Sequence, residues 1–427
     1  MKQISESGGR RGLMQSHPLL ATLVGLRGNE RSCVYTEPLW GIPFNLYSPF
    51  LTIYMYALGV NDRQIGLMLS IGMIFQVFAA LMGGVLTDKL GRRNATVIFD
   101  TLSWSIPALI WMFSQNFWWF LAATILNSMW QITNNSWTCL MVEDCDQSKL
   151  VHIFTWCTIS GLLAVFFAPA AGILVDRLTI IPAMRIIFGL TFVMMTAKFY
   201  ILYFTAHETS RGVIRMRETK GVPIRKILGE YKTIAIKVAK TPRTVLIIAI
   251  MVILNITAAV SNNFFALYAT QNLGMPDAWL AWFPIGRAIV MLIFIFTVQT
   301  ALSHLSFRIP VLIGLVLYIG SQLILITTKP DHLLPLIFYV LLEAFAFALV
   351  IPQKDAMMVK FIDPVERARI SSIVYMSMIA VSSPFGWIAG ELSQRDRSWP
   401  FIMNMILFSL CFLLIVYTRR LKLTDDN

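Results

Sequence analysis

The chain has 427 residues, 57% of them hydrophobic and 14% charged, with a formal net charge of +12. A soluble domain carries about 25% charged residues, so this composition, at a mean hydropathy of +0.67, excludes an ordinary soluble enzyme and points to a chain that crosses a bilayer many times. The basic excess belongs to the membrane as well, because of where it falls along the chain, and no nucleic-acid partner is expected.

Residues 1–38 read as a cytoplasmic N-terminal segment, with no A-x-A-like cleavage site after an early apolar run. Twelve apolar runs of roughly spanning length follow, numbered here as spans 1 to 12. Span 1, 39–59, carries Asn45, Ser48, Thr52 and Tyr56 on one helical face. Span 2 is 64–87, and span 3, 94–113, holds Asp100 about two turns from its start. Span 4, 117–140, places Asn127, Gln131 and Asn134 at i, i+4 and i+7, flanked by Trp130 and Trp137. Span 5 is 153–175, and span 6, 184–205, holds Lys198 about two turns before its end. Residues 206–243 form a linker with ten Lys and Arg, in which 223–240 has the spacing of an amphipathic helix on the membrane surface. Span 7, 244–268, carries Asn255, Asn262 and Asn263; span 8, 278–301, carries Arg287; span 9 is 309–327. Span 10, 332–352, carries Glu343; spans 11 and 12 are 370–390 and 399–417, and 418–427 is a cytoplasmic tail.

Cytoplasmic loops favour Lys and Arg. With the N-terminus inside, 27 of the 35 Lys and Arg fall on the inner side, so both termini are expected in the cytoplasm. Shifting the sequence by 215 residues brings Leu58-Gly59 onto Leu273-Gly274, Asp62 onto Asp277, Arg93 onto Arg308 and Pro169 onto Pro384. The expected fold class is therefore an all-α membrane protein, with twelve transmembrane helices in two pseudo-symmetric six-helix bundles, 39–205 and 244–417. The Gly-x-x-Asp pairs read as a glycine closing one helix and an acid capping the next.

Between spans 2 and 3 stands Gly84-x-Leu86-x-Asp88-Lys89-x-Gly91-Arg92-Arg93. It resembles the signature Gly-x-Leu-Ala-Asp-Arg-x-Gly-Arg-Lys/Arg of the major facilitator superfamily, with Thr87 in place of the Ala and Lys89 in place of the first Arg. The bases suit the carbonyl end of span 2, whereas Asp88 faces a partial negative charge there and needs a positive partner. The resemblance implies that partner: the amino end of span 11, near Ser371 and Ser372, in a contact that closes the cytoplasmic side. The second half has Ser303-His304-Leu305-Ser306-Phe307-Arg308 at the equivalent positions and lacks the signature. In span 5, Ala168-Pro169-Ala170-Ala171-Gly172 partly resembles the antiporter signature Gly-Pro-x-x-Gly, with the first Gly replaced.

A charge at the centre of a spanning helix costs about 2.5–3.5 kcal/mol on insertion scales. Asp100 and Lys198 share a depth and read as a structural ion pair. Arg287 and Glu343 lie near the midplane and read as substrate-binding and proton-coupling groups. The resemblance implies that spans 1, 4, 7 and 10 surround a central cavity, which makes Asn45, Tyr56, Asn127, Trp130, Gln131, Asn134, Asn255, Asn262 and Asn263 candidate substrate contacts; the alternative is hydrogen bonding between helices, worth about 0.6 kcal/mol per contact. Glu143-Asp144, ending span 4, is expected to pair with Arg92 or Arg93.

These readings predict a monomeric secondary transporter of the cytoplasmic membrane, working by alternating access with protons as the partner and no cofactor, for a small polar solute such as a sugar or glycoside. The alternatives are proton-coupled efflux of amphipathic drugs and a sensor or scaffold that keeps the fold without transport. No Gly-x-x-x-x-Gly-Lys-Ser/Thr, nucleophile–base pair or metal cluster suggests an enzyme.

Overall fold

The computed structural model describes residues 18–146, 149–223, 240–297, 308–330, 332, 334–361 and 367–418. Among these described residues, ten helices are long and apolar enough to cross a membrane. Spans 1 and 4 complete twelve, and each is broken in the middle. Span 1 is Pro38–Tyr47 followed by Leu51–Ala57. Pro49 stands in the gap, where it supplies no N–H to the helix ladder. Span 4 is Phe117–Asn127 followed by Trp130–Val142. At its break the Ser128 hydroxyl lies 2.9 Å from the carbonyl oxygens of Thr124 and of Gly72 in span 2, so the interruption is held by the neighbouring helix.

The other spans run as Asp62–Leu90, Arg92–Phe113, Leu150–Leu178 with a turn at Phe166-Phe167, and Ile180–Thr205. The second half has Pro242–Leu267 continuing as a π-helical turn Tyr268–Asn272, Asp277–Thr297, Arg308–Thr327, Leu334–Phe361, Arg367–Arg395 and Trp399–Thr418. Span 3 contains a second π-helical turn, Thr101–Ser105, directly after Asp100. Pro169 and Pro384, equivalent by offset, behave differently. Pro169 starts a helix. Pro384 lies inside span 11, and the Ala380 carbonyl that it cannot engage accepts the Ser383 hydroxyl at 2.9 Å.

Large apolar side chains such as Val193, Phe204, Ile406 and Leu413 are more than half exposed on the outer surface, as a hydrocarbon solvent allows and water does not. The main core is a single apolar cluster that includes residues of both halves. A separate cluster seats the N-terminal segment: Leu26, Cys33 and Val34 pack with Leu140, Ile153 and Leu202. Residues 18–36 are therefore two docked helices, Pro18–Gly25 and Gly28–Thr36, rather than a free tail. The amphipathic pattern over 223–240 falls mainly on 224–239, outside the described residues.

The spans have two ends, here called the basic end, with residues 88–93 and 206–223, and the far end. At the far end Gly59 and Gly274 both have positive φ, +81° and +70°, and close their helices as the sequence pattern requires. The cap of span 2, however, is Asn61, in a capping box with Gln64. Asp62 does something else.

Candidate functional site

The halves meet tightly at the far end, along two seams. In the first, spans 2 and 11 approach so closely that a Cβ on Gly66 would lie 2.5 Å from the Gly386 carbonyl oxygen and 2.6 Å from Gly390 Cα. The Trp387 N–H donates to Ser70 Oγ at 2.6 Å. Asp62, only 2% exposed, accepts from the Ser393 hydroxyl at 2.6 Å and from Arg397 Nε and Nη2 at 2.9 and 3.2 Å. Arg63 pairs with Glu391. In the second seam a Cβ on Gly172 of span 5 would lie 2.7 Å from the Ala278 carbonyl oxygen of span 8. The Trp387–Ser70, Ser393–Asp62 and Arg397–Asp62 hydrogen bonds and the Arg63–Glu391 pair join the two halves there. The molecule is thus closed at the far end.

A cavity of about 390 Å³ lies between the halves beneath this closure. Its wall is mostly apolar and aromatic, as small-molecule sites are. Phe265 stacks on Tyr339 with ring centroids 5.1 Å apart and meets Phe283 edge-on at 4.9 Å. Asn45, Ser48 and Asn262 supply neutral polar groups. Arg287 and Glu343 both line the cavity, and the Arg287 guanidinium donates directly to the Glu343 carboxylate. The two are not equally placed: the Arg287 side chain is 33% exposed and that of Glu343 8%. Arg287 also lies over the Phe347 ring at 5.7 Å, within cation–π range.

A second cavity, of about 570 Å³, opens toward the basic end between spans 2, 4, 7 and 11. Trp130, Gln131, Asn134, Asn255 and the signature residue Gly84 line it, together with Gln76 and Asn135, which the sequence reading did not single out. Span 7 runs past both cavities, with Asn255 in one and Asn262 in the other. The expected polar stripes are thus divided between a central chamber and its vestibule.

Three predicted contacts line neither. The Asn127 amide donates to the Ser103 carbonyl at 2.7 Å, tying the break in span 4 to span 3. Asn263 donates to Ala259 one turn back in its own helix. Tyr56 lies under the Arg397 guanidinium at 5.1 Å, in the far-end closure. The expected Asp100–Lys198 pair is corrected as well. Lys198 Nζ bonds Glu37 at 2.8 Å and lies over the Trp40 and Trp137 rings, while Asp100 is buried near Lys198. Glu37 stands just before the first apolar run, so depth matching inside the spans could not reveal it.

The signature loop is fully engaged with its own half and the linker. Arg92 forms a fork on Glu143, with Nε–Oε2 and Nη2–Oε1 at 2.9 and 3.0 Å, and Nη1 reaches Asp88 at 3.0 Å. The second partner of Asp88 is Arg215, at 2.8 Å, on the linker helix Ser210–Glu218; the hydrogen bond to Asp88 holds the Arg215 guanidinium above its ordinary pKa. In the far-end-closed state Asp88 is thus satisfied by Arg92 and Arg215. The side chains of Ser371 and Ser372 lie outside the described residues, as do 303–307 of the second half. Lys89 Nζ bonds the Val222 carbonyl at 2.8 Å, and Arg93 lies over the Tyr203 ring at 5.0 Å. Gly91 is needed twice. Its φ is +83°, and a Cβ there would lie 2.5 Å from Glu208 Oε2. That carboxylate accepts the N–H groups of Arg92 and Arg93 at 2.8 and 3.0 Å and so caps span 3 from the linker. Asp62, Glu37, Glu208 and Arg215 are the residues that sequence reasoning missed. For Asp62 the one available signal was that an acid beside an Asn cap is surplus to capping.

A family model described as Major Facilitator Superfamily matches residues 40–377. Among curated proteins, Multidrug resistance protein MdtG of Yersinia enterocolitica is 26% identical over 183 residues, covering 42% of this chain and 43% of the relative. MdtG of Serratia proteamaculans is 37% identical over 89 residues, covering 20% of this chain and 21% of the relative. The chain thus spans less than half the length of these relatives. Among solved structures, a mutant of the nucleoside transporter NupG superposes with a TM-score of 0.72 at 14% identity, over 91% of this chain and 99% of that one. The peptide transporter POT in complex with sulfate gives 0.71 at 13% identity, over 92% and 94%. At such identities the likeness speaks for the fold alone, while the signature loop and the match over 40–377 make the chain a member of the major facilitator superfamily.

Proposed function

We propose that the protein is a proton-coupled secondary transporter that moves a small amphipathic organic solute across the cytoplasmic membrane by alternating access, as a monomer with both termini in the cytoplasm. The observation that carries this reading is the Arg287–Glu343 pair in the wall of a cavity shared by the two halves. A carboxylate at this depth stays charged only beside a cation, and separating it from Arg287 calls for a proton in its place. The far-end seams are short and interdigitated, the arrangement that rocking of one bundle against the other would break and remake. The basic end carries most Lys and Arg, which supports assigning it to the cytoplasm; the state described then faces inward.

Gln131 and Asn134 of span 4 lie in the vestibule rather than the chamber. A chamber walled by Phe265, Phe283 and Tyr339, with few amides, suits an amphipathic molecule better than a sugar. The curated relatives' name, multidrug resistance protein, supports export of drugs as a second reading. In proteoliposomes with an internal pH-sensitive dye, a panel of sugars, amphipathic anions and cationic drugs should contain solutes that evoke proton flux, and Glu343→Gln should reduce that flux at least tenfold. Flux that survives in Glu343→Gln removes this residue from coupling. Solute uptake with no proton movement in the wild type makes the protein a uniporter.

A further inference from the structure

The two members of the central ion pair do not face the cavity equally. Arg287 exposes a third of its side chain to it, while Glu343 is almost covered. A guanidinium has five N–H donors. Among the described residues one of them, on Nη2, has a protein acceptor, the Glu343 carboxylate. Arg287 lines the chamber, where its side chain is the more exposed of the two. Around it stand the stacked Phe265–Tyr339 rings and the edge of Phe283. No further acid lines this chamber among the described residues. A guest therefore meets a cation rich in unused donors and a set of aromatic faces, with the carboxylate behind them.

We propose that the transported solute is an organic anion with an aromatic or otherwise planar apolar body, and that anion and proton travel together in the same direction. The second clause follows from the first. An anion on Arg287 competes with Glu343 for the same guanidinium. Protonation of Glu343 releases Arg287 to the anion, and a bound anion favours protonation of Glu343; this mutual assistance is required by linkage. A cation would do the opposite, since it would compete with the proton for Glu343 and be exchanged against it. The groups facing Glu343 are Arg287 on span 8, Tyr318 on span 9 and Tyr339 on its own helix. None of these takes up a proton near neutrality. Guanidinium also suits the anion's geometry, because its planar fork meets two oxygens of a carboxylate, sulfonate or phosphonate at once.

The inference rests on the proton-coupled reading of the same site, and the sign of the proton flux separates the two. The probes are one- and two-ring aryl sulfonates, which stay charged at every pH used, with aryl trimethylammonium salts and aryl amides of matched size. In full-length protein, sulfonate binding read by tryptophan fluorescence should tighten about tenfold or more between pH 8 and pH 6. Glu343→Gln should bind sulfonates tightly at both pH values, a gain that a merely structural residue would not give, and Arg287→Gln should lose them. In proteoliposomes an imposed inward sulfonate gradient should carry protons inward. Ammonium probes that bind more tightly at high pH and drive protons outward would overturn the anion assignment while leaving proton coupling intact. Failure of every sulfonate to bind would also overturn it. Absence of any solute-evoked proton movement would instead remove the coupled reading itself.

Discussion

Asp62 and Arg397 show how much one buried pair can decide. The Asp62 carboxylate is covered on all sides and held by Arg397 and Ser393 across the seam between the halves. Removing one partner of such a pair leaves an uncompensated charge, at a cost of about 3–5 kcal/mol. That cost falls only on the state in which the seam is closed, because in the open state water solvates the acid. Arg397→Ala is therefore expected to shift the molecule toward opening at the far end, and Asp62→Asn in the same chain to restore much of the closure. A cysteine at Ser70, buried in the seam, reports the change. Its labelling rate with a membrane-impermeant maleimide should rise at least tenfold in Arg397→Ala and fall back in the double variant. Equal rates in all three proteins would show that Asp62 does not hold the seam.

At the scale of helices, closure depends on the absence of side chains. Gly66, Gly386 and Gly390 let spans 2 and 11 touch backbone to backbone, and Gly172 does the same for spans 5 and 8. A methyl group at Gly66 would sit within 2.6 Å of two backbone atoms, which no rotamer change can relieve, so the helices must move apart. Gly66→Ala should widen the far end by ångströms, measurable between spin labels on spans 2 and 11, and lower transport at least tenfold. Gly320→Ala, with open space around its Cβ position, should change neither. Unaltered label distances in Gly66→Ala would refute the seam. Much of this level was legible in the sequence. The twelve runs, the signature loop and the midplane charges follow from hydropathy and from the cost of intramembrane charge. The breaks in spans 1 and 4 were not legible, since averaging over about 20 residues hides a two- or three-residue interruption. Pro49 was a visible hint, but the break at Ser128 is stabilised by Gly72 of another helix, a contact that no local pattern encodes. Across the same break Gln131 and Asn134 line the second cavity, whereas Asn127 turns to the Ser103 carbonyl of span 3.

Across the whole molecule the linker contacts Asp88 of the signature loop. In the far-end-closed form the Asp88 carboxylate is shared by Arg92 of its own loop and Arg215 of the linker helix. The linker is fastened to the first half at several further points: Glu208 on the amino end of span 3, the Thr209 hydroxyl on Glu143, and the Val222 carbonyl on Lys89. These contacts lie within residues 88–222 and so can persist while the halves rock. The contact with span 11 that the signature implies would form only when the basic end closes, and then Asp88 must trade one partner for another. Arg215 is therefore expected to act as a counterweight to closure of the basic end. Its side chain is 42% exposed, so the ion pair is worth only about 0.2–1 kcal/mol, and Arg215→Gln should raise the basic-end-closed population by no more than about fivefold. Asp88→Asn should act in the opposite direction, because it weakens the contact with span 11. Single-molecule distances between labels at the basic ends of spans 2 and 11 would resolve both populations. Opposite shifts in the two variants establish the exchange of partners; shifts of the same sign, or none, confine Asp88 to holding its own loop in place.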